Sequence, residues 1–285
     1  MKGITQKIAL SVLALVITAV TLTAGVWAWF VVNNTAKVDQ IGGQVESGTG
    51  GFMIAATKSG QANKDWTTSL SLTDYSVTDL TDLTLKGVNL VKQENQDADY
   101  GKGYLTFDLY FAAGSTFNNI ILSDISIVSR GSSNWTAPTG ITGVTSFSEH
   151  ASNAARVGFF NGSSLISAYQ QTEGTDENTL GQTGGKALEY YNKVSGKTAI
   201  VAPASEYTAK EVVTNATEAI VALGSAVTTL PDGYPAATES MTVGADAYSK
   251  FAKVTVKIWI EGWDGEAFNA IQKGGFDVSM TFKAV

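Results

Sequence analysis

The chain of 285 residues has no cysteine, one histidine and only four prolines. Each shortage removes a class of chemistry. Without cysteine there is no disulfide framework, thiolate zinc site, iron–sulfur cluster or thiol nucleophile. A single imidazole, His150, excludes any site that needs two. Positive charge is also scarce: 19 Lys and Arg stand against 26 Asp and Glu, a net charge of −7, and no basic block interrupts the balance. Nucleic acid is therefore not an expected partner, because phosphate binding needs clustered cations. No Gly-x-Ser-x-Gly elbow is present. Gly196-Lys197-Thr198 matches the end of a P-loop, but Tyr191 stands where that pattern needs its first glycine. His150 follows Glu149 in a polar stretch with no nucleophile beside it, as an exposed loop histidine would. What remains is an apolar content of 44%, which is that of a globular chain, and a length that suits one large domain or two modest ones.

The one long hydrophobic run lies at the N-terminus. Lys2 and Lys7 are the only charges before Lys37, and residues 8–32 carry none. A basic start followed by an apolar stretch is an export signal. Val26 and Ala28 satisfy the small-residue rule for cleavage before Trp29. Residues 1–28 are expected to be a signal peptide or, left uncleaved, a membrane anchor, since about 20 such residues span a bilayer as a helix. A third route is prepilin-type processing after Lys2-Gly3, with the apolar helix kept as a filament core. All three place the rest of the chain outside the membrane, secreted or on the cell surface.

Beyond Gly42-Gly43 the character changes to short alternations of apolar with Ser, Thr, Asp and Asn, divided by glycine clusters. Period-2 alternation rich in β-branched and aromatic residues predicts half-buried strands. They are expected at 52–56, 67–72, 84–91, 103–111, 120–129, 155–160, 197–202, 211–214, 219–223, 251–261 and 276–283. Tyr104, Phe107, Leu109 and Phe111 keep no single phase, which predicts a strand buried on both faces or bulged. Short helices are expected at 163–170, 186–194 and 265–272. Many strands and few helices predict an all-β class: a jelly-roll-like antiparallel β-sandwich over 47–285, with residues 134–235 as long loop insertions. Residues 29–46 form an extended segment ahead of it.

Chemistry-bearing residues are few. Trp259, Glu261, Trp263 and Asp264 form the best ligand candidate, an aromatic-rimmed carboxylate pair suited to a sugar if the rings are exposed in a concavity. Alternation puts Ile258 and Ile260 on one face of that strand and Trp259 and Glu261 on the other; a Trp on a covered face is core instead. Asp97 with Asp99, Asp176 with Glu177, and Asp74, Asp79 and Asp82 are the loop carboxylates available to Ca²⁺, but none matches a Ca²⁺-loop pattern. No cofactor and no catalytic residue is expected. Asn33, Asn134, Asn161 and Asn215 head Asn-x-Ser/Thr triplets, which matter only in a host that glycosylates them.

Two stretches carry a family resemblance. Ala24-Gly25-Val26-Trp27-Ala28-Trp29-Phe30, with a trailing Asn and Val, resembles the junction of exported proteins processed by the SipW-type signal peptidase. Lys257-Ile258-Trp259-Ile260-Glu261-Gly262-Trp263-Asp264 and the following Glu266–Ile271 are similar to a closing motif of such proteins, many of which carry Cys where this chain has Ala267. Residues 104–111 and 155–159 look like middle pieces of the same pattern. The set includes the TasA and camelysin family of Firmicutes biofilm-matrix fibres. The resemblance implies a jelly-roll sandwich that assembles by donor-strand complementation, the mature N-terminal segment of one subunit adding a strand to the next. Here that segment would be 29–46, with cleavage around Val26, Ala28, Trp29 and Phe30 and with Val31, Val32, Val38, Ile41 and Val45 as its β-branched residues. An extended peptide on a sheet edge satisfies a row of backbone groups, and head-to-tail contacts of this kind propagate.

The expected function is a non-enzymatic structural subunit of a cell-surface or biofilm-matrix fibre. Its partners would be its own copies, with a signal peptidase during export and the membrane met only through an uncleaved N-terminus. The alternatives are a monomeric carbohydrate-binding or adhesion module and a pilin-like subunit that keeps its apolar helix.

Overall fold

The computed structural model describes residues 36–46, 51–92, 103–131, 133–136, 146–171, 207–239, 241–244, 247–262, 264, 267, 271 and 274–285. In chain order the strands are β1 Ala36–Glu46, β2 Phe52–Thr57, β3 Lys64–Thr67, β4 Ser69–Ser71, β5 Val77–Leu80, β6 Asp82–Lys86, β7 Asn89–Val91, β8 Leu105–Ala113 and β9 Asn119–Ser129. They continue as β10 Ser133–Thr136, β11 Ser146–Glu149, β12 Ala155–Asn161, β13 Ser164–Gln170, β14 Ala209–Glu211, β15 Ala219–Ala222, β16 Lys250–Glu261 and β17 Gly275–Ala284. Among the described residues, no helix is long and apolar enough to cross a membrane; the run 8–32 lies outside them.

Two sheets face one another. The first runs β15-β9-β17-β1-β4, with β5 also on β1; the second runs β14-β13-β12-β16-β8-β2-β3, with β6 on β16 and β7 on β6. Pairing is mainly antiparallel, so one face of each sheet meets the core while the other can face water or take separate cover. The phase of alternation decides which residues go inward. On β16, Val254, Val256, Ile258 and Ile260 enter the shared core; on β17, Phe276, Val278, Met280 and Phe282 do. Phe282 sits at the centre, with its ring centroid 5.0 Å from Phe111 and 6.4 Å from Phe159, both on the opposite sheet.

β8 is buried on both faces, as its mixed phase predicts. Phe107, Leu109 and Phe111 face the shared core, while Tyr110 and Ala112 join an outer cluster with Ala55, Trp66, Met241 and Phe251. A strap closes over that cluster: Tyr234 packs edge-on against Tyr110 at 4.9 Å, and Trp66 Nε1 donates to the Pro235 carbonyl at 3.0 Å. The other half of the same outer face lies under the β6–β7 hairpin, through Leu83, Leu85 and Leu90.

The remaining expectations divide. Strands appear within or around 52–56, 103–111, 120–129, 155–160, 219–223, 251–261 and 276–283. The expected strand at 67–72 is represented by β4, and the preceding β3 went unread. The single strand expected at 84–91 is instead a hairpin. Gly87, at φ +61°, opens a two-residue turn between the paired Lys86 and Asn89, and a glycine at the first turn position suits the twist of the flanking strands. The helix expected at 163–170 is strand β13. Gly162, at φ +57°, makes the same kind of turn, and Leu165 to Tyr169 then pair back along β12. The strand expected at 211–214 falls earlier, as β14, parallel to β13. The elements expected at 186–194 and 197–202 lie outside the described residues, as does most of 265–272.

One segment guards two sheet edges. Between residues 207 and 223, β14 covers the edge of β13 and β15 covers the edge of β9, with Ile125 N donating to Val213 O at 3.0 Å between them. Unpaired edges invite pairing with other chains, so a connection that covers both is protective.

Candidate functional site

Three of the four residues of the expected sugar platform do come together, but in the interior. Trp259, Glu261 and Asp264 are 0%, 0% and 3% exposed. Trp263 lies outside the described residues. The alternation is as expected, with Ile258 and Ile260 in the shared core and Trp259 in the outer cluster. The outer face is covered, however, by the β6–β7 hairpin and by Tyr207, whose ring meets Trp259 edge-on at 5.9 Å. An exposed stacking surface at Trp259 is therefore corrected to a buried one: tertiary cover, which alternation cannot report, fills the place a sugar would take.

At the centre of the cluster lies Arg156, fully buried on β12 directly opposite Trp259. Its Nη2 donates to Asp264 Oδ2 at 2.5 Å, and its Nη1 donates to the Ala155 carbonyl at 3.1 Å. Glu261 is served from another side. Tyr207 Oη donates to Glu261 Oε2 at 2.6 Å, Trp259 Nε1 donates to the same oxygen at 3.2 Å, and Thr84 also hydrogen-bonds to the carboxyl. The backbone holds these side chains in place: Glu261 N donates to Ala154 O and Gly262 N to Leu83 O, each at 2.8 Å. Gly158 makes room, since a Cβ there would fall 2.9 Å from the Phe160 ring and 3.0 Å from the Trp259 ring.

The electrostatics follow from one buried cation among two acids. Burial opposes the charge on Arg156, but the carboxylates of Asp264 and Glu261, with Tyr207, outweigh it and raise the guanidinium pKa. Burial pushes the Tyr207 phenol well above its ordinary value of 10, and Glu261 adds to the effect, so Tyr207 stays a hydrogen-bond donor. Burial also raises Glu261 above its ordinary 4.5, although Tyr207 and Arg156 pull the other way. A carboxyl whose folded pKa exceeds its unfolded one binds its proton more tightly in the fold. Its stabilising contribution is present below the unfolded value and is lost as pH rises through the folded one. Glu261→Gln keeps an acceptor for Tyr207 and Trp259 while removing that titration. It is expected to be at least as stable as the parent at neutral pH, with the difference shrinking in acid below 4.5; urea-unfolding midpoints at both pH values measure this.

The cluster is a polar network, buried except at the half-buried Tyr207 and Thr84, that ties β12, β16, β6 and the start of the 207–223 segment together. Arg156 and Tyr207 were not singled out as site residues from sequence; Arg156 appeared only within the middle stretch of the resemblance. An arginine amid the apolar run Ala154 to Phe160 was the one available signal for the first, and Tyr207 had none.

The other residues distribute as follows. His150 Nδ1 lies 2.8 Å from Ser129 Oγ, and that hydroxyl is also 2.8 Å from the Gly131 carbonyl. Asp74 is bonded to Lys64 at the surface. No group of three His, Asp or Glu side chains suited to a metal occurs among the described residues; Asp97, Asp99, Asp176 and Glu177 lie outside them. Val26, Ala28, Trp29, Phe30, Val31 and Val32 are likewise outside.

Val38, Ile41 and Val45 lie on β1, and β1 is inside the first sheet of its own chain. It runs parallel to β17 in a register from Lys37 opposite Gly275 to Glu46 opposite Lys283. On its other side it meets β4 and β5. Gly43 is buried there, and a Cβ at that position would fall 3.7 Å from Ile54 and from Leu70. Comparisons with protein-family models, with curated proteins and with solved structures find no match to this chain.

Proposed function

We propose that the chain is an exported structural subunit of a cell-surface or matrix fibre, a jelly-roll-like sandwich that assembles by adding its N-terminal strand to a neighbouring copy. In this reading residues 1–28 direct export and leave the segment from Trp29 free to pair. The observation that supports it is the place of β1. The strand that fills the gap between β17 and β4/β5 is the first among the described residues, comes soon after the apolar run in sequence, and is joined to β2 by residues 47–50. A terminal strand in an interior slot can come from its own chain or from the next one, because the same backbone pairs are made in both cases.

The absence of cysteine allows a direct test. Gly42 and Ser279 are register partners, and paired strand positions suit the Cα separation of a disulfide. Gly42→Cys and Ser279→Cys subunits, mixed during assembly and oxidised, are expected to form a covalent dimer that contains one of each. Cross-linking confined to single chains of the double variant, with none in the mixture, would sink the proposal. The N-terminal residue of surface-recovered protein gives a second reading: a start at Trp29 or Phe30 agrees with a freed strand, and an intact Met1 argues against it.

A further inference from the structure

The sequence contains a single Asn-Gly pair, Asn161-Gly162. The fold sets it at the tip of the β12–β13 hairpin, where Asn161, Gly162 and Ser163 are all exposed. Three features mark it chemically. Asn161 is exposed, so its side-chain carbonyl carbon is not shielded by packing. Gly162 has no Cβ to block the approach, and an ideal Cβ built there would have nothing within 4 Å. Only the terminal ladder pair, Asn161 with Ser164, holds the tip, and the register is already irregular between Phe159 and Phe160. Ring closure requires the backbone at Asn161 to rotate out of the strand. Opening one terminal pair is the least costly local unfolding a hairpin offers.

We propose that Asn161 is a site of spontaneous covalent modification. The Gly162 backbone nitrogen bonds to the Asn161 side-chain carbonyl carbon and loses its proton, and the side-chain nitrogen leaves as ammonia. The resulting five-membered imide is opened by water. Attack at one carbonyl yields aspartate; attack at the other yields isoaspartate, in which the main chain runs through the former side chain. Water is the only co-reactant and nothing is oxidised. Either product adds a negative charge at the tip, and isoaspartate lengthens the backbone by one bond, which breaks the pairing of residue 161 with Ser164.

The test incubates the folded full-length protein in warm, mildly alkaline buffer. Peptide mapping should find a gain of one mass unit on the peptide that carries residue 161, split into aspartate and isoaspartate forms, with other asparagines trailing several-fold. Asn161→Gln should lose the signal while leaving the unfolding midpoint in place, because the side chain is exposed. A synthetic peptide spanning 155–170 calibrates the rate without the fold. A folded-state rate many-fold below that of the peptide would show that the hairpin protects the bond and would overturn the proposal. So would a sugar found attached to Asn161 in protein recovered from its host, since Asn161-Gly162-Ser163 is also an acceptor triplet and a glycan would block the carboxamide.

Discussion

Arg156→Met is expected to cost about 3–5 kcal/mol of folding stability, seen as a lower urea midpoint with an unchanged slope. The guanidinium and its partner Asp264 both have fully buried side chains. Met matches the length of the arginine stem, so little packing is lost and the penalty isolates the stranded carboxylate. Most of that penalty is the cost of a buried charge without a counter-charge, not the worth of the pair itself. The double variant Arg156→Met with Asp264→Leu should therefore recover much of the loss. Glu261 also faces Arg156, so adding Glu261→Gln to the double variant separates its contribution from that of Asp264. Recovery would show a pair that selects one arrangement of β12 and β16 more than it stabilises the fold. A double variant as unstable as the single one would show that Asp264 was not the group left unpaired.

Phe282→Ala is expected to cost about 3–5 kcal/mol, the range for an aromatic removed from a packed core. Phe282 belongs to the first sheet, and its ring meets Phe111 and Phe159 on the second. Truncation leaves a void between layers that strand pairing within each sheet prevents from collapsing. Phe282→Leu should cost much less, since it keeps most of the volume. Thermal or urea midpoints of the two variants separate the cavity from the loss of the aromatic ring. Equal, small effects would mean that another residue carries the contact between sheets.

Most of the long strands were legible because period-2 alternation records burial directly. β16 and β17 show this best: Ile258, Ile260, Val278 and Met280 all face the core their phase predicts. The hairpin turns were not legible in the same way. Gly87 follows Lys86 within an alternating stretch and Gly162 lies between Asn161 and Ser163, and a single glycine can mean a turn, a bulge or a close approach. At 163–170 the adjacent pairs Leu165-Ile166 and Ala168-Tyr169 keep helical spacing and no strand alternation; pairing with β12 overrode that local signal. The site divided along the same line. The grouping of Trp259, Glu261 and Asp264 is short-range and legible; between its two readings, exposed platform and covered core, the cover over the outer face decided for the core.

By itself the sequence determined the all-β class, which residues of the last long strands share a face, and the lack of thiol and paired-imidazole chemistry. These follow from composition and from spacing along one strand, which are local properties. Only the tertiary structure decided that the second sheet is covered on its outer face, that Arg156 holds Asp264 from a strand more than a hundred residues away in sequence, and that β1 lies parallel to β17 inside its own sheet. Each of these depends on which distant segment arrives at a surface. Alternation gives a residue's side of the strand; it carries no information about what packs against that side.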